Sequence, residues 1–460
     1  SNNRLCYLFF VPFLFVSCSN DKGYDYLENS LLGIFSKQEN DEYITKQLEK
    51  AIKLKNKEAF ALSLIYLEGN SEEIFNKYLK KSNGYAEYFK ALLLKKQNGS
   101  ENEILELLES SAKQGFSKSY YVMGDIYENK LEFTKAQEYF KKGKDAGDFL
   151  SLRSYEAGKN MMSYYKKIEA LNKKMDEGNI SKDEKKELGT LLVERTQYVG
   201  KAYDILKDFL AENYPPALYA KAKVLEGDGK NDEAIKIYQD TLFKNKYYLS
   251  AYEIAKKLAD ENKSYETALL PLADIKSDEI LINSYMGYLY ENLGNFKDAE
   301  KYYLKAVDKN DIDTMYYLGK MYETQNELKK AKNMYTKAYA LGSSEAGERL
   351  AFLYENEEQS KNSAQSETLK NKEAKKILER LSKSDISSAT VALSSYYPKN
   401  SNKVRILNLK AAVDQYPEAY YNLGVYYFNK KKNKKAKFYF IAAKSTGFDI
   451  GEFYEAFLKN

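Results

Sequence analysis

The stretch YMGYLYENLGNFKDAEKYYLKAV, Tyr285–Val307, decides the fold. Counted from Gly287, an aromatic follows three residues on (Tyr290), an alanine at twelve (Ala299), an aromatic at sixteen (Tyr303) and an alanine at nineteen (Ala306). The same spacing runs from Gly319 through Tyr322, Ala331, Tyr335 and Ala338. It runs from Gly124 through Tyr127, Ala136, Phe140 and Gly143, and from Gly424 through Tyr427, Ala436, Phe440 and Ala443. Looser copies start at Ser63, Ala222, Ala255, Ala351 and Ala392. From Ala222 the anchors fall at 222, 255, 287, 319 and 351, a step of 32 or 33 residues. A fixed period of that length marks a repeat array, in which one supersecondary unit buries its apolar face against the next.

The spacing has a mechanical reading. A small anchor lets the two helices of one hairpin cross closely, and the aromatic three residues on lies on the same helix face beside the crossing. The later Ala, aromatic, Ala series is the apolar stripe of the second helix. Between the helices, Leu293-Gly294-Asn295 suits a helix C-cap. The composition agrees: 43% hydrophobic, 30% charged, and only 6 Pro in 460 residues. Low proline with abundant Lys, Glu, Leu and Ala favours helix.

These residues carry a family resemblance. Glu418–Phe428 (EAYYNLGVYYF) and Tyr290–Val307 resemble tetratricopeptide repeats; Ser110–Phe116 (SSAKQGF) and Ala442–Phe448 (AAKSTGF) resemble the ends of Sel-type repeats. The terminal proline of the tetratricopeptide pattern is missing. The resemblance extends over about twelve hairpins between Tyr24 and Asn460. It implies an all-α, right-handed superhelical solenoid over 24–460, with the first helix of each hairpin lining a concave groove.

Two segments break the period. Between Ala157 and Ala202, apolar residues at helical spacing from Met161 to Met175 and from Leu188 to Val199 flank a Ser181–Glu184 capping box. This predicts a hairpin insertion over about 159–200, with arms twice the usual length, projecting from the stack. The polar run at about 355–371 is expected to be a mobile loop.

The N-terminus is read as an address. Arg4 precedes an apolar run, Leu5–Val16, too short to span a bilayer, and Ser17-Cys18 follows. Phe15-Val16-Ser17-Cys18 resembles a bacterial lipobox, apart from Phe15 where Leu is usual. That implies a signal peptide at 1–17, lipidation of Cys18, a short tether at 18–23 and membrane attachment through the acyl chains. The resemblance implies a cell-envelope protein, in the outer membrane rather than the inner, because Ser19 follows the cysteine.

Composition narrows the function. The chain has no His, which excludes Ser-His-Asp and Cys-His nucleophile systems and His-ligated metals. Its 72 basic and 67 acidic residues are interspersed, and arginine occurs only at positions 4, 153, 195, 349, 380 and 405. No basic field for nucleic acid results. Gly227-Asp228-Gly229-Lys230 is a hairpin turn rather than a phosphate loop. The reading is therefore non-enzymatic, with no cofactor and no metal. Three positions before the anchors stand Tyr121, Tyr219, Tyr252, Tyr316 and Tyr421. Four after them stand Glu128, Glu226, Glu291, Glu323 and Glu355. In a tetratricopeptide-like stack these would form a tyrosine track edged by carboxylates, suited to a protein or peptide partner. A structural assembly factor of the envelope and a glycan-binding surface protein remain open beside the interaction scaffold.

Overall fold

The computed structural model describes residues 12–196, 198–361 and 371–460, with side chains from residue 21 onward except 358–361. Residues 1–11 of the expected leader and the Cys18 side chain lie outside the described residues; the rest of the leader and the expected tether at 18–23 are part of the helix Pro12–Ser36. Those described are helical almost throughout, with no strand among them. Helices pair with their sequence neighbours, as the period predicts: Pro215–Gly227 with Asn231–Asn245, Ile280–Asn292 with Phe296–Val307, Ile312–Thr324 with Leu328–Ala340, and Pro417–Asn429 with Asn433–Ser445. No described helix is long and apolar enough to cross a membrane.

The hairpin geometry explains the sequence spacing. An added Cβ would stand 2.6 Å from the Tyr335 ring at Gly319 and 2.7 Å from the Phe440 ring at Gly424, and it would clash likewise with Tyr303 at Gly287 and Phe140 at Gly124. The aromatic at sixteen therefore lies directly on the anchor. The aromatic at three stacks on the ring at fifteen: Tyr127 on Tyr139, Tyr290 on Tyr302 and Tyr427 on Tyr439, at centroid distances of 5.4, 5.5 and 5.8 Å. Gly294 takes φ +77 between the helices of its hairpin, where a side chain would be strained.

The chain divides into two compact units. Unit 1 holds residues 1–123, 142–151 and 350–460, and so draws on both ends of the sequence. Its N-terminal helix, Pro12–Ser36, packs on Asn402–Val413 and Asn433–Ser445. A simple array, with contacts only between neighbours, does not anticipate this pairing. Glu28, 3% exposed, accepts hydrogen bonds from Arg405 at 3.0 Å, from Tyr439 at 2.6 Å and from Tyr427. Lys57 and Lys118 converge on Asp385 at 2.6 and 3.3 Å.

Unit 2 holds 124–141 and 152–349, and its long hairpin departs from expectation. The segment at 159–200 does form a hairpin, Phe149–Asp176 with Lys182–Arg195, and the Ser181–Glu184 capping box is present. It does not project. Ile168, Leu188 and Leu192 are fully buried in one core with Phe133, Ala202 and Phe209. The apolar stripe that suggested an uncovered arm is covered by the unit itself. In unit 1, the first part of the expected loop at 355–371 is helical, because Ser344–Lys361 continues through it; residues 362–370 lie outside those described.

Candidate partner-binding cavity

In unit 2 the first helices of three consecutive repeats, Tyr248–Asn262, Ile280–Asn292 and Ile312–Thr324, wall a cavity of about 860 Å³. Tyr252, Tyr285, Tyr288, Tyr303 and Tyr317 line it. The long hairpin contributes Met161, Glu194 and Arg195 to the wall. Arg195 holds that hairpin in place through a two-pronged ion pair with Glu279, and Asn160 donates to the Asn310 carbonyl at 3.1 Å. The segment expected to be an outlying arm is thus part of the cavity.

The rings form a connected cluster. Tyr252 meets Tyr285 edge to face at 5.1 Å, and Tyr285 stacks on Tyr288 at 5.5 Å. Tyr288 in turn meets Tyr265 at 6.2 Å. Burial, then the charge of Asp260, raises the Tyr285 phenol above its ordinary range. Burial, then Glu253 and Asp260, pushes Tyr252 up to about 12. The Tyr285 hydroxyl is shut off from solvent and has no hydrogen-bond partner among the described residues. Such an atom costs about 1–3 kcal/mol unless something satisfies it. The wall carries six carboxylates and three cationic side chains. Of these, Glu279 is taken by Arg195 and Asp313 by Arg153.

The structure brings together Tyr252 and Glu291 of the residues expected in the groove, and separates the others. Tyr219 is 6% exposed and donates to Glu253 at 3.0 Å, so it is a core residue. Its displacement has a sequence cause: Glu253, two before its own anchor, is a buried acceptor that draws the Tyr219 hydroxyl and Lys223 inward. Tyr316 is half-buried against Tyr335, outside the cavity wall. Tyr121 and Tyr421 belong to unit 1, where Tyr421 is packed under Tyr454 of the last helix, Gly451–Lys459.

The glutamates are largely structural. Tyr303 donates to Glu291 at 2.9 Å and Tyr335 to Glu323 at 2.8 Å, so positions four and sixteen of a repeat clasp each other. Glu323 is also gripped by Arg349, and Glu226 pairs with Lys223 at 3.2 Å and Lys257 at 3.6 Å. Glu355 accepts from Tyr396. In the repeat from Gly124 the ring at sixteen is Phe140, which has no hydroxyl; burial, then Asp125, raises the Glu128 carboxyl. Sequence reasoning missed Tyr285, Tyr288, Tyr317 and Asp260. The signal was present: Tyr285 and Tyr317 stand two before their anchors and Tyr288 one after, a turn of the helix that the choice of a single position per repeat passed over.

Three segments, 117–146, 286–308 and 417–445, match the tetratricopeptide repeat family profile. No curated protein matches the sequence. Among solved structures, the chain is similar to a protective antigen of uropathogenic Escherichia coli with an SLR fold: 16% identity, 90% of this chain and 89% of that one, TM-score 0.43. It is also similar to a Sel1 repeat protein from Oxalobacter formigenes, with 20% identity, 43% and 84% coverage and TM-score 0.34. A tetratricopeptide repeat protein from Parabacteroides merdae gives 17%, 53%, 97% and 0.34 in the same terms. With all three scores below 0.5, no residue is carried across from them.

Proposed function

We propose that the chain is a non-enzymatic interaction scaffold that binds a protein or peptide partner in the tyrosine-walled cavity of unit 2. The observation that carries this is the convergence of tyrosines from three consecutive first helices on one cavity. Flat rings with a polar tip give contact area at low entropic cost, which is why tyrosine is enriched where proteins bind proteins. Tetratricopeptide-type repeats, which three segments match, are commonly protein-binding scaffolds.

A photo-crosslinking residue at position 288, in the wall, is compared in intact cells with one at Phe243, which is 87% exposed on a second helix. A discrete adduct at 288 that vanishes in Tyr252→Ser/Tyr317→Ser supports the reading. Adducts only at 243 place recognition elsewhere and defeat it.

The same proposal extends to location: acyl chains on Cys18 tether the scaffold to the bacterial envelope, in the outer membrane. Its basis is the Leu5–Val16 apolar run ending at Ser17-Cys18. Fatty-acid label should be incorporated by the native chain and lost in Cys18→Ala; label retained in that variant refutes it.

A further inference from the structure

The cavity rings and the carboxylate beside them have a chemistry of their own, and the ligand class it selects rests on the cavity being the partner site. The aromatic end of the cavity is built from Tyr252, Tyr285 and Tyr288, joined at 5.1 and 5.5 Å. Asp260, four residues beyond Lys256 on Tyr248–Asn262, is exposed and lines the same cavity. Its charge bears on all three rings. It makes no ion pair with any described residue. The negative face of an aromatic ring attracts a cation, and more strongly where water is excluded. One ring already shows what it accepts: the Lys256 ammonium lies 4.9 Å from the centroid of Tyr252, with Glu253 at 3.4 Å as its counter-charge. Beside it, Tyr285 and Tyr288 with Asp260 repeat the arrangement of rings and carboxylate without an internal cation.

We propose that this end of the cavity takes the side chain of a lysine presented by the bound peptide. The ammonium stands against Tyr285 and Tyr288 and donates to the exposed Asp260 carboxylate. The four-carbon stem lies along the rings. Lysine is chosen over arginine because the neighbouring pairing of ring and carboxylate, Tyr252 with Glu253, is already filled by a lysine, Lys256. A peptide fits better than a small free amine. At about 860 Å³ the cavity is the size of a whole ligand site, roughly 300–1,000 Å³, and much larger than one ammonium group. The remaining wall mixes polar and aromatic side chains with Met161, Ile280 and Leu281, which suits a chain passing through it.

The test uses the full chain and three probes: fluorescein-labelled pentalysine, the same peptide acetylated on every Nζ, and choline chloride. Anisotropy should show pentalysine binding at least about tenfold more tightly than its acetylated twin, the scale of a desolvated cation–π contact joined to a charged hydrogen bond. Asp260→Asn should bring the two within about twofold. Tyr288→Leu, which changes no charge, should weaken pentalysine by about tenfold, which separates recognition by the ring from general attraction between charges. Asp260 is exposed, so the melting of Asp260→Asn should match the native chain. Equal binding of the two peptides, no binding of either, or no effect of Asp260→Asn overturns the proposal. Choline competing at concentrations equal to the peptide overturns the assignment to a lysine side chain in favour of a free quaternary amine. If any of these occurs while the adduct at position 288 persists, the cavity still binds a partner and only its cationic chemistry is wrong. Loss of the adduct as well removes both.

Discussion

Replacing Glu28 tests whether the two ends of the sequence are joined in unit 1. Glu28→Ala leaves the Arg405 guanidinium, 8% exposed, with Asn402 and the more exposed Asp25 as its remaining partners. The hydroxyls of Tyr427 and Tyr439 lose their acceptor at the same time. Removing one partner of a buried ion pair costs about 3–5 kcal/mol, because the other charge stays behind without compensation. The orphaned hydroxyls add to this, though not additively within one network. For a unit of this size, about 1 kcal/mol moves a melting temperature by roughly 2–4 °C, so a drop on the order of 10 °C is expected. Glu28→Gln keeps an acceptor and should lose less. The double change Glu28→Leu/Arg405→Met replaces the pair with apolar side chains and should recover much of the loss. Calorimetry gives the totals; hydrogen exchange gives the location, with Asn402–Val413 losing protection in Glu28→Ala. A melting temperature within about 1 °C of the native chain, with exchange at 402–413 unchanged, would refute the reasoning.

Gly319→Leu drives a side chain into the Tyr335 ring and should destabilise by about 1–3 kcal/mol or more, read by urea unfolding; an unchanged midpoint would show the hairpin register to be wrong. Tyr335→Phe loses the hydroxyl's bonds to Glu323 and Arg349 and should cost about 1–2 kcal/mol, since the ring still covers the anchor as Phe140 and Phe440 do in their repeats. Asp385 sets a pH dependence in unit 1. Burial raises its carboxyl, but Lys57 and Lys118 outweigh burial and hold it below the ordinary 3.8. A depressed carboxyl contributes stability that is present above 3.8 and is lost as pH falls through the lower folded value. Melting followed from pH 5 downward should therefore fall more steeply in the native chain than in Asp385→Asn, and parallel curves would count against the pairing.

The hairpins were legible because their determinant is local. A glycine at the crossing and an aromatic sixteen residues later are both within one hairpin, and the clash that enforces glycine involves only those two residues. The cavity was half legible. Its construction from first helices follows from the repeat resemblance, and of the residues named from the spacing Tyr252 and Glu291 line it. Which tyrosine of each repeat faces inward was not legible, because Tyr-rich helices offer several at adjacent positions. Tyr316 and Tyr317 are neighbours; Tyr317 lines the cavity and is 46% exposed, whereas Tyr316 packs on Tyr335. Tyr219 was drawn inward by Glu253, a partner 34 residues away that no spacing rule identifies.

Arginine shows the same limit from the other side. Its scarcity in a lysine-rich chain argues against a surface for nucleic acid, and its positions carry a second message. Arg195 fastens the long hairpin to Glu279, Arg153 pairs with Asp313, Arg349 grips Glu323, and Arg405 bridges Asp25 and Glu28. These partners stand 84, 160, 26, and 380 and 377 residues away. A rigid guanidinium fork holds two oxygens at once, which lysine does not. Where a repeat chain must join segments that are not sequence neighbours, that geometry matters more than charge alone. Apart from Arg349, whose partner stands in the adjoining repeat, these pins join segments that neighbour contacts alone leave apart. Their presence argues that the long hairpin is fixed against the cavity of unit 2, and the N-terminal helix against the last repeats of unit 1, by specific ion pairs added to general apolar packing. In unit 2 the pins at Arg195 and Arg153 hold Glu279 and Asp313 of the cavity wall in place.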